Sequence, residues 1–462
     1  ISTRDWSSDV CSSDLAAKGQ PLFATGDLAA KKILPALQQW SEEGLPFSRV
    51  WCLGRRALDA EGYLALIEAK GAVCLGEQLR KRIEYHRLEF EDAAAYQTLA
   101  ARMHAEGGAR TGRRLFFLAV KPDAFVPITT QLHAAGLLST GNPEHRLLLE
   151  KPFGDSLRSA AAIQEQLLPL VSEEQLYRID HYLGKEMIRN ILTIRFANRL
   201  FSESWHGGAI DRVEVTSIET AGVEERLDYY DRAGAINDMI QSHLLQMVAL
   251  VAMGAPNDLA PESIRRAKID VLDHLRPDPS CPPVLGQYAG YQDQVPGSAT
   301  ETAVEATLRV DTPQWQGARF VVRTGKKLAE KRTEIRLHFR PTRLCVDCGE
   351  TVEAAANQLV IQVFPHEGVE LQFNSKTPGY DYDIEQVTAE YCHSCRMIGN
   401  RPEAYVKLLK DAWEGDKTLF AGFDELQAQW RIADGLRGAA AQGRLVIYAP
   451  GSATLTPLGG LA

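Results

Sequence analysis

The sequence predicts an α/β domain followed by an α+β domain with a large, mostly antiparallel sheet, and three observations carry that expectation. Between about Gly19 and Val171, short apolar runs alternate with stretches of helical period, as βαβ units around a parallel sheet require. Beyond Glu186, apolar residues recur at every second position in run after run, the mark of half-buried strands. The 462 residues, 45% hydrophobic and 24% charged, are enough for two domains with sizeable cores.

Taken in order, residues 1–15 are polar, have no amphipathic period and read as a non-native extension, so they are set aside together with Cys11. Residues 16–175 form the expected α/β domain and 176–462 the expected α+β domain. PFSRVWCLG and RRLFFLAV read as buried strands; RLLLEKPFG supplies another, followed by a helix over 156–170. In the second domain the alternating sets are Val213 and Val215; Val304, Ala306 and Leu308; Ile335, Leu337 and Phe339; Leu359, Ile361 and Val363; and Val369, Leu371 and Phe373. A helix with an apolar stripe through Ile240, Leu244, Met247, Val248 and Val251 is expected to pack on that sheet. The proline-rich stretch from Pro277 to Pro283 reads as a loop.

A net charge of −9 argues against nucleic acid as a partner, so any phosphate must be held by local cations in an acidic background. The longest apolar run, near Leu244 to Met253, is too short to span a bilayer, and no signal segment is recognisable. The expectation is a cytoplasmic protein without membrane or nucleic-acid partners.

The densest chemistry lies in RIDHYLGKE, Arg178 to Glu186. Asp180 can orient a histidine, Gly184 leaves room for a ligand, and His181 and Lys185, four apart, share a face if the segment is helical. Two cations on one face suit a phosphate, while the plainer reading is a solvated helix end with ordinary ion pairs. TGDLAAKKILPAL reads as a strand-to-helix turn in which Gly26, Asp27 and Leu28 bring backbone amides to a pyrophosphate. Arg55 and Arg56 follow the strand ending at Trp51 to Gly54; at that place an acid favours a ribose 2′-hydroxyl and an arginine a 2′-phosphate, so the pair points to NADP.

RIDHYLGKE resembles the active-site signature of the glucose-6-phosphate dehydrogenase family. The resemblance extends in order through GDLAAKKILPAL, LAVKP, EKPFG, RFANRLF, DMIQSHLLQMVALVAM and RTGKKLAEKRTEI, from about Gly26 to about Leu445. It implies a Rossmann-like coenzyme domain, a dimer or tetramer formed through the large sheet, and oxidation of glucose 6-phosphate to 6-phosphogluconolactone with NADP, the first step of the pentose phosphate pathway. It implies His243 as general base and Asp180 as its hydrogen-bonding partner. His181, Lys185 and Tyr182 match phosphate-binding positions; Glu219, Asp238, Lys326 and Lys331 match positions that hold sugar oxygens. Lys151 is implied to touch both coenzyme and sugar, and its bond to Pro152 to be cis. Taken singly, each of these residues is a commonplace surface or core group.

Two departures from the family pattern shape the expectations. Phe23 stands where the family has a glycine three residues before Gly26, and Pro21 falls in the first strand, which predicts weakened coenzyme binding. Phe364 stands where the family usually carries a glutamine near the sugar. The rival readings are therefore a dehydrogenase of another phosphorylated sugar and a non-catalytic sugar-phosphate-binding protein. Outside the family pattern, Cys345 with Cys348 and Cys392 with Cys395 form two C-x-x-C pairs, which predict a structural zinc held by four thiolates, free thiols and disulfides being the alternatives. Cys52, Cys74 and Cys281 read as packing residues.

Overall fold

The computed structural model describes residues 20–24, 28–44, 46–70, 75–105, 112–347, 350–379, 383–393, 395, 404–440 and 445–455. The extension over residues 1–15, Gly26, Asp27, Cys74 and Cys348 lie outside the described residues. The chain forms two compact units. The first comprises residues up to Phe153, Ala162–Ile179 and Tyr405–Asp416; the second comprises Gly154–Ala161, Asp180–Ala404 and the residues from Lys417 on.

In the first unit, six parallel strands, β1 (Gln20–Ala24), β2 (Val50–Gly54), β3 (Ile83–Arg87), β4 (Arg114–Leu118), β5 (His145–Leu149) and β6 (Leu176–Ile179), lie in the order 3-2-1-4-5-6. That is the doubly wound order of dinucleotide-binding folds, with β1 and β4 flanking the point where the strand order reverses. The unbroken apolar runs of β4 and β5 are buried along their whole length, because helices cover both faces of such a sheet. Pro21 does not prevent β1 from forming: it lies opposite Leu115, with Leu22 opposite Trp51 on the other side. One missing donor is tolerated where two neighbours pair with the rest of the strand. The helix Ala404–Glu414, absent from the expected elements, contributes Tyr405, whose hydroxyl donates to Glu150 Oε1 at 2.8 Å, and Trp413, which packs edge-on against Trp40 and Phe47.

The second unit is built on β7 (Ile210–Ile218), β8 (Leu275–Pro277), β9 (Val284–Tyr288), β10 (Ala303–Val310), β11 (Arg319–Gly325), β12 (Arg332–Phe339), β15 (Gln358–Phe364), β16 (Gly368–Lys376) and β17 (Ile384–Cys392), with a small ribbon of β13 (Arg343–Asp347) and β14 (Glu350–Glu353) beside them. The large sheet runs β17-β16-β15-β12-β7-β11-β10-β9 and ends on Val446–Tyr448. It is antiparallel apart from β7 with β11 and β9 with the final strand. The alternating residues Val213, Val215, Val304, Ala306, Leu308, Ile335, Leu337, Leu359, Ile361 and Val363 are all buried. The helical stretch Ile236–Leu244 packs on β7 and β11, and Glu186–Phe196 packs on β15. On β16 the same alternation leaves Leu371 half-exposed and Phe373 exposed, so the period is kept without burial within this chain. No helix among the described residues is long and apolar enough to cross a membrane.

Candidate functional site

The signature folds as strand, turn and helix. Leu176–Ile179 is β6, residues 181–184 are turn, and Lys185, in the extended region (φ −74°, ψ 136°), is the N-cap of Glu186–Phe196. His181 and Lys185 therefore do not share a helical face. The cause is local: Asp180 Oδ1 accepts the Tyr182 N–H at 2.9 Å, and successive turn bonds from Leu183 N–H to Asp180 O and from Lys185 N–H to Tyr182 O fold the segment before any helix begins.

His243 comes from the stretch Ile236–Leu244, which is wound more widely than an α-helix, its end marked by the Leu245 N–H donating to Ile240 O. With bonds spanning five residues, Asp238 and His243 fall on one face, and such stretches recur at functional sites. Gly234, at φ 67°, admits the chain: a Cβ there would lie 2.3 Å from the Glu301 carboxylate, which accepts the Ile236 N–H at 3.0 Å.

His243 is wholly buried, and its Nδ1 lies 2.6 Å from Asp180 Oδ1. The Tyr182 ring stacks on the imidazole at 4.3 Å, and the His181 ring meets it edge-on at 4.7 Å. The Tyr182 hydroxyl, expected as a phosphate donor, is instead bonded to Ser217 Oγ at 3.0 Å, which is bonded in turn to Thr333 Oγ1 at 3.0 Å. Burial pushes the Tyr182 phenol up to about 12. Sequence reasoning missed Ser217 and Thr333; they are opposed across β7 and β12, a register that single-strand periodicity does not reveal.

Lys185 lies with its Nζ 4.0 Å over the Tyr182 ring. Burial pushes its ammonium down to about 8, Asp180 partly offsets this, and Lys331 adds to it. Phe364, at the end of β15, has Lys331 Nζ at 4.9 Å and Lys185 Nζ at 6.0 Å from its ring, so both lysines approach one aromatic ring. Lys326 is ion-paired with Glu219 and lies 5.4 Å over the Tyr230 ring. Asp238 accepts from the Tyr229 hydroxyl at 3.4 Å and faces Arg226 at 3.5 Å. Asp180, His181, Tyr182, Lys185, Glu219, Asp238, His243, Lys326 and Lys331 thus all belong to the second unit.

The coenzyme candidates belong to the first. Leu28 opens the helical run that continues to Glu42. Arg55 and Arg56 are exposed after β2 and line an open cleft with Leu58, Tyr63, Lys70 and Phe90. The loop carrying them is fixed at both ends, by the Tyr85 hydroxyl donating to Arg56 O at 2.8 Å and by Asp59 capping the helix Ala60–Ala69 through the Gly62 N–H. Cations at the carboxyl end of the second strand, with no acid among these lining residues, fit a 2′-phosphorylated dinucleotide. Lys151 follows β5 and its bond to Pro152 is cis, as the resemblance implies; the cis bond at Phe364–Pro365 carried no such expectation.

The four-thiolate zinc expectation meets a different arrangement. Cys392 and Cys395 are joined in a disulfide, so neither offers a thiolate, while Cys348 and the Cys345 side chain lie outside the described residues. A C-x-x-C turn brings its two α-carbons to 5.3 Å, which suits a disulfide as well as a metal knuckle. Cys52 is buried, as expected of a packing residue. Among the described residues, Asp180, His181 and His243 each place one ligating atom within 4.8 Å of the others. The short Asp180–His243 bond is also the arrangement of a base and its orienting carboxylate.

The family profile described as "Glucose-6-phosphate dehydrogenase, NAD binding domain" matches residues 22–190, and that described as "Glucose-6-phosphate dehydrogenase, C-terminal domain" matches residues 192–456. The glucose-6-phosphate 1-dehydrogenase of Bacillus subtilis (strain 168) is 36% identical over 438 residues, 89% of each chain. That of Gluconobacter oxydans (strain 621H) is 38% identical over 439 residues, 88% of each chain. A solved glucose-6-phosphate dehydrogenase in complex with its substrate glucose-6-phosphate superposes with a TM-score of 0.87 at 31% identity, covering 95% of each chain. The glucose-6-phosphate 1-dehydrogenase from Mycobacterium avium superposes with a TM-score of 0.82 at 29% identity, covering 94% of this chain and 95% of that one. Profile matches through both units and relatives above 30% identity over most of their length agree with the Asp180–His243 geometry: this chain belongs to the glucose-6-phosphate dehydrogenase family.

Proposed function

We infer that the chain is an NADP-dependent glucose-6-phosphate dehydrogenase, oxidising the anomeric carbon of glucose 6-phosphate to give 6-phosphogluconolactone. The observation that carries the mechanism is the 2.6 Å bond between His243 and Asp180 in a buried site. Nδ1 is engaged by the carboxylate, and Nε2 is the ring nitrogen assigned to take the proton of the anomeric hydroxyl, with Asp180 stabilising the imidazolium that results. NADP, when bound, supplies the acceptor for the hydride, and Arg55 and Arg56 are the residues assigned to its 2′-phosphate. His181 and Lys185 take the sugar phosphate. Glu219, Lys326, Asp238 and Lys331 take hydroxyl oxygens and neighbouring groups, and Lys151 is assigned to both ligands.

Phe364 supports a second reading, in which the sugar is a different phosphorylated one. Its ring offers an apolar face and no hydrogen bond where two lysines converge, so hydroxyl discrimination there is weak. A homodimer or homotetramer is assigned to the outer strands β16 and β17, where Phe373 and Tyr391 are exposed. An acidic chain acting on a water-soluble sugar phosphate is assigned to the cytoplasm.

Lys185 provides the test of the phosphate assignment. Its ammonium, pushed down to about 8, is charged below that pH and neutral above it, so affinity for the phosphorylated sugar falls as pH rises through about 8. The Michaelis constant for glucose 6-phosphate should climb by up to about tenfold per pH unit beyond that point. Lys185→Ala should abolish the climb and raise the constant at neutral pH, while the slow reaction of unphosphorylated glucose hardly changes. Equal loss for both sugars would move Lys185 from phosphate binding to the catalytic machinery.

A further inference from the structure

Lys327 and Glu224 are the non-glycine residues with positive φ among the described residues, both at 51°. A lysine does not favour that region, and such a conformation persists where the surroundings over-determine it. Around Lys327 they do. Its N–H donates to Ala221 O at 3.0 Å, and its carbonyl accepts from the Gly451 N–H at 2.7 Å. One residue earlier, Lys326 N–H donates to Thr302 O at 3.0 Å and Lys326 O accepts from the Tyr448 hydroxyl at 2.6 Å. Two residues later, the Ala329 N–H donates to Ser452 O at 3.0 Å. Three of these five bonds come from Tyr448–Ser452, more than a hundred residues along the chain.

The turn held in this way bears the Lys326 side chain, and it is tied to the backbone of Lys326's partner as well. Glu219 N–H donates to Gly325 O at 2.9 Å, and Leu328 N–H donates to Glu219 O at 3.0 Å. Tyr448 is fully buried, and its hydroxyl is also bonded to Thr302 Oγ1 at 3.0 Å, so ring and oxygen have one place to be.

We propose that Tyr448, with the segment that follows it, is a positioning element for sugar binding: it clamps the turn from Gly325 to Ala329 so that Lys326 and Glu219 stand preset for the substrate hydroxyls. The proposal rests on the assignment of Lys326 and Glu219 to the sugar. Preset groups lose less freedom on binding, so the clamp acts on affinity more than on the chemical step.

Tyr448→Phe keeps the ring and removes the bond to Lys326 O. It should raise the Michaelis constant for glucose 6-phosphate by about five- to tenfold, with turnover within about twofold of the parent. The dissociation constant for NADP, followed by fluorescence, should not move. Lys327→Val, which resists positive φ, should raise the same Michaelis constant, whereas Lys327→Asn, which tolerates it, should stay near the parent. The Lys327 pair decides the matter if Tyr448→Phe does not fold. Lys326→Met separates the proposal from its foundation. If it raises the Michaelis constant and Tyr448→Phe lowers only thermal stability, the clamp is purely structural and the proposal is overturned. If Lys326→Met leaves the constant unchanged, the sugar assignment fails and the proposal with it.

Discussion

His243→Asn should lower turnover by about a hundredfold or more, with binding of glucose 6-phosphate close to that of the parent. Asparagine keeps a hydrogen-bonding group near the sugar hydroxyl but cannot accept its proton at neutral pH, so the loss belongs to the chemical step. The amide N–H of asparagine can still meet Asp180, and the Tyr182 and His181 rings, 4.3 and 4.7 Å from the imidazole, remain as walls of the site. Asp180→Asn should also slow turnover, since the buried carboxylate 2.6 Å from Nδ1 is the group proposed to stabilise the imidazolium. The double variant should be little worse than His243→Asn alone, because the two residues act as one unit. The check is turnover together with an equilibrium binding measurement. A His243→Asn turnover within a few-fold of the parent would remove the base from this residue.

Arg55→Ala should weaken NADP by about 1.5–3 kcal/mol, the worth of a charge-assisted contact, and leave NAD nearly untouched. On the equilibrium scale that is about a tenfold to hundredfold change in dissociation constant. Arg55 is the residue immediately after β2, and in this sheet order the end of β2 is where a dinucleotide-binding fold meets the adenosine ribose. Arg56 differs in being anchored by its own carbonyl to the Tyr85 hydroxyl. Titration of both coenzymes by fluorescence decides between them. Equal weakening of NADP and NAD would transfer the discrimination to Arg56.

Much of this fold can be read from the chain because its strands obey simple periods. The apolar runs of β4 and β5 are continuous because both faces are covered, whereas β7, β10, β12 and β15 keep an apolar residue at every second position toward the core; Val360 breaks the pattern on β15, and Phe339, beyond a bulge in β12, is only half-buried. β11 was not legible: RFVVRTG carries its apolar residues side by side, and its place between β7 and β10 depends on a parallel pairing with a strand a hundred residues earlier. β16 shows the reverse, with a legible alternation whose outer residues this chain leaves uncovered.

The site divides in the same way. Residue types and order within RIDHYLGKE and DMIQSHLLQM mark Asp180 and His243, but the helical reading of residues 181–185 fails because the segment closes as successive turns, Leu183 N–H to Asp180 O and Lys185 N–H to Tyr182 O, before the helix starts at Glu186. The Ser217–Thr333 support of Tyr182 and the Tyr448 contact with Lys326 join residues more than a hundred positions apart, and no local pattern encodes them. For Cys392 and Cys395, spacing reports proximity of the two sulfurs and is silent on whether they bond to each other or to a metal.

Hydride transfer from the anomeric carbon of glucose 6-phosphate to NADP, with His243 proposed to take the proton, is open to direct test. The most direct measurement is the initial rate of reduced-coenzyme formation, followed by absorbance, for the parent and His243→Asn with glucose 6-phosphate and NADP. Rapid reduction by the parent, and a rate at least about a hundredfold lower for the variant, is the expected result. No reduction by a folded parent that binds both ligands, or equal rates for parent and variant, would contradict it.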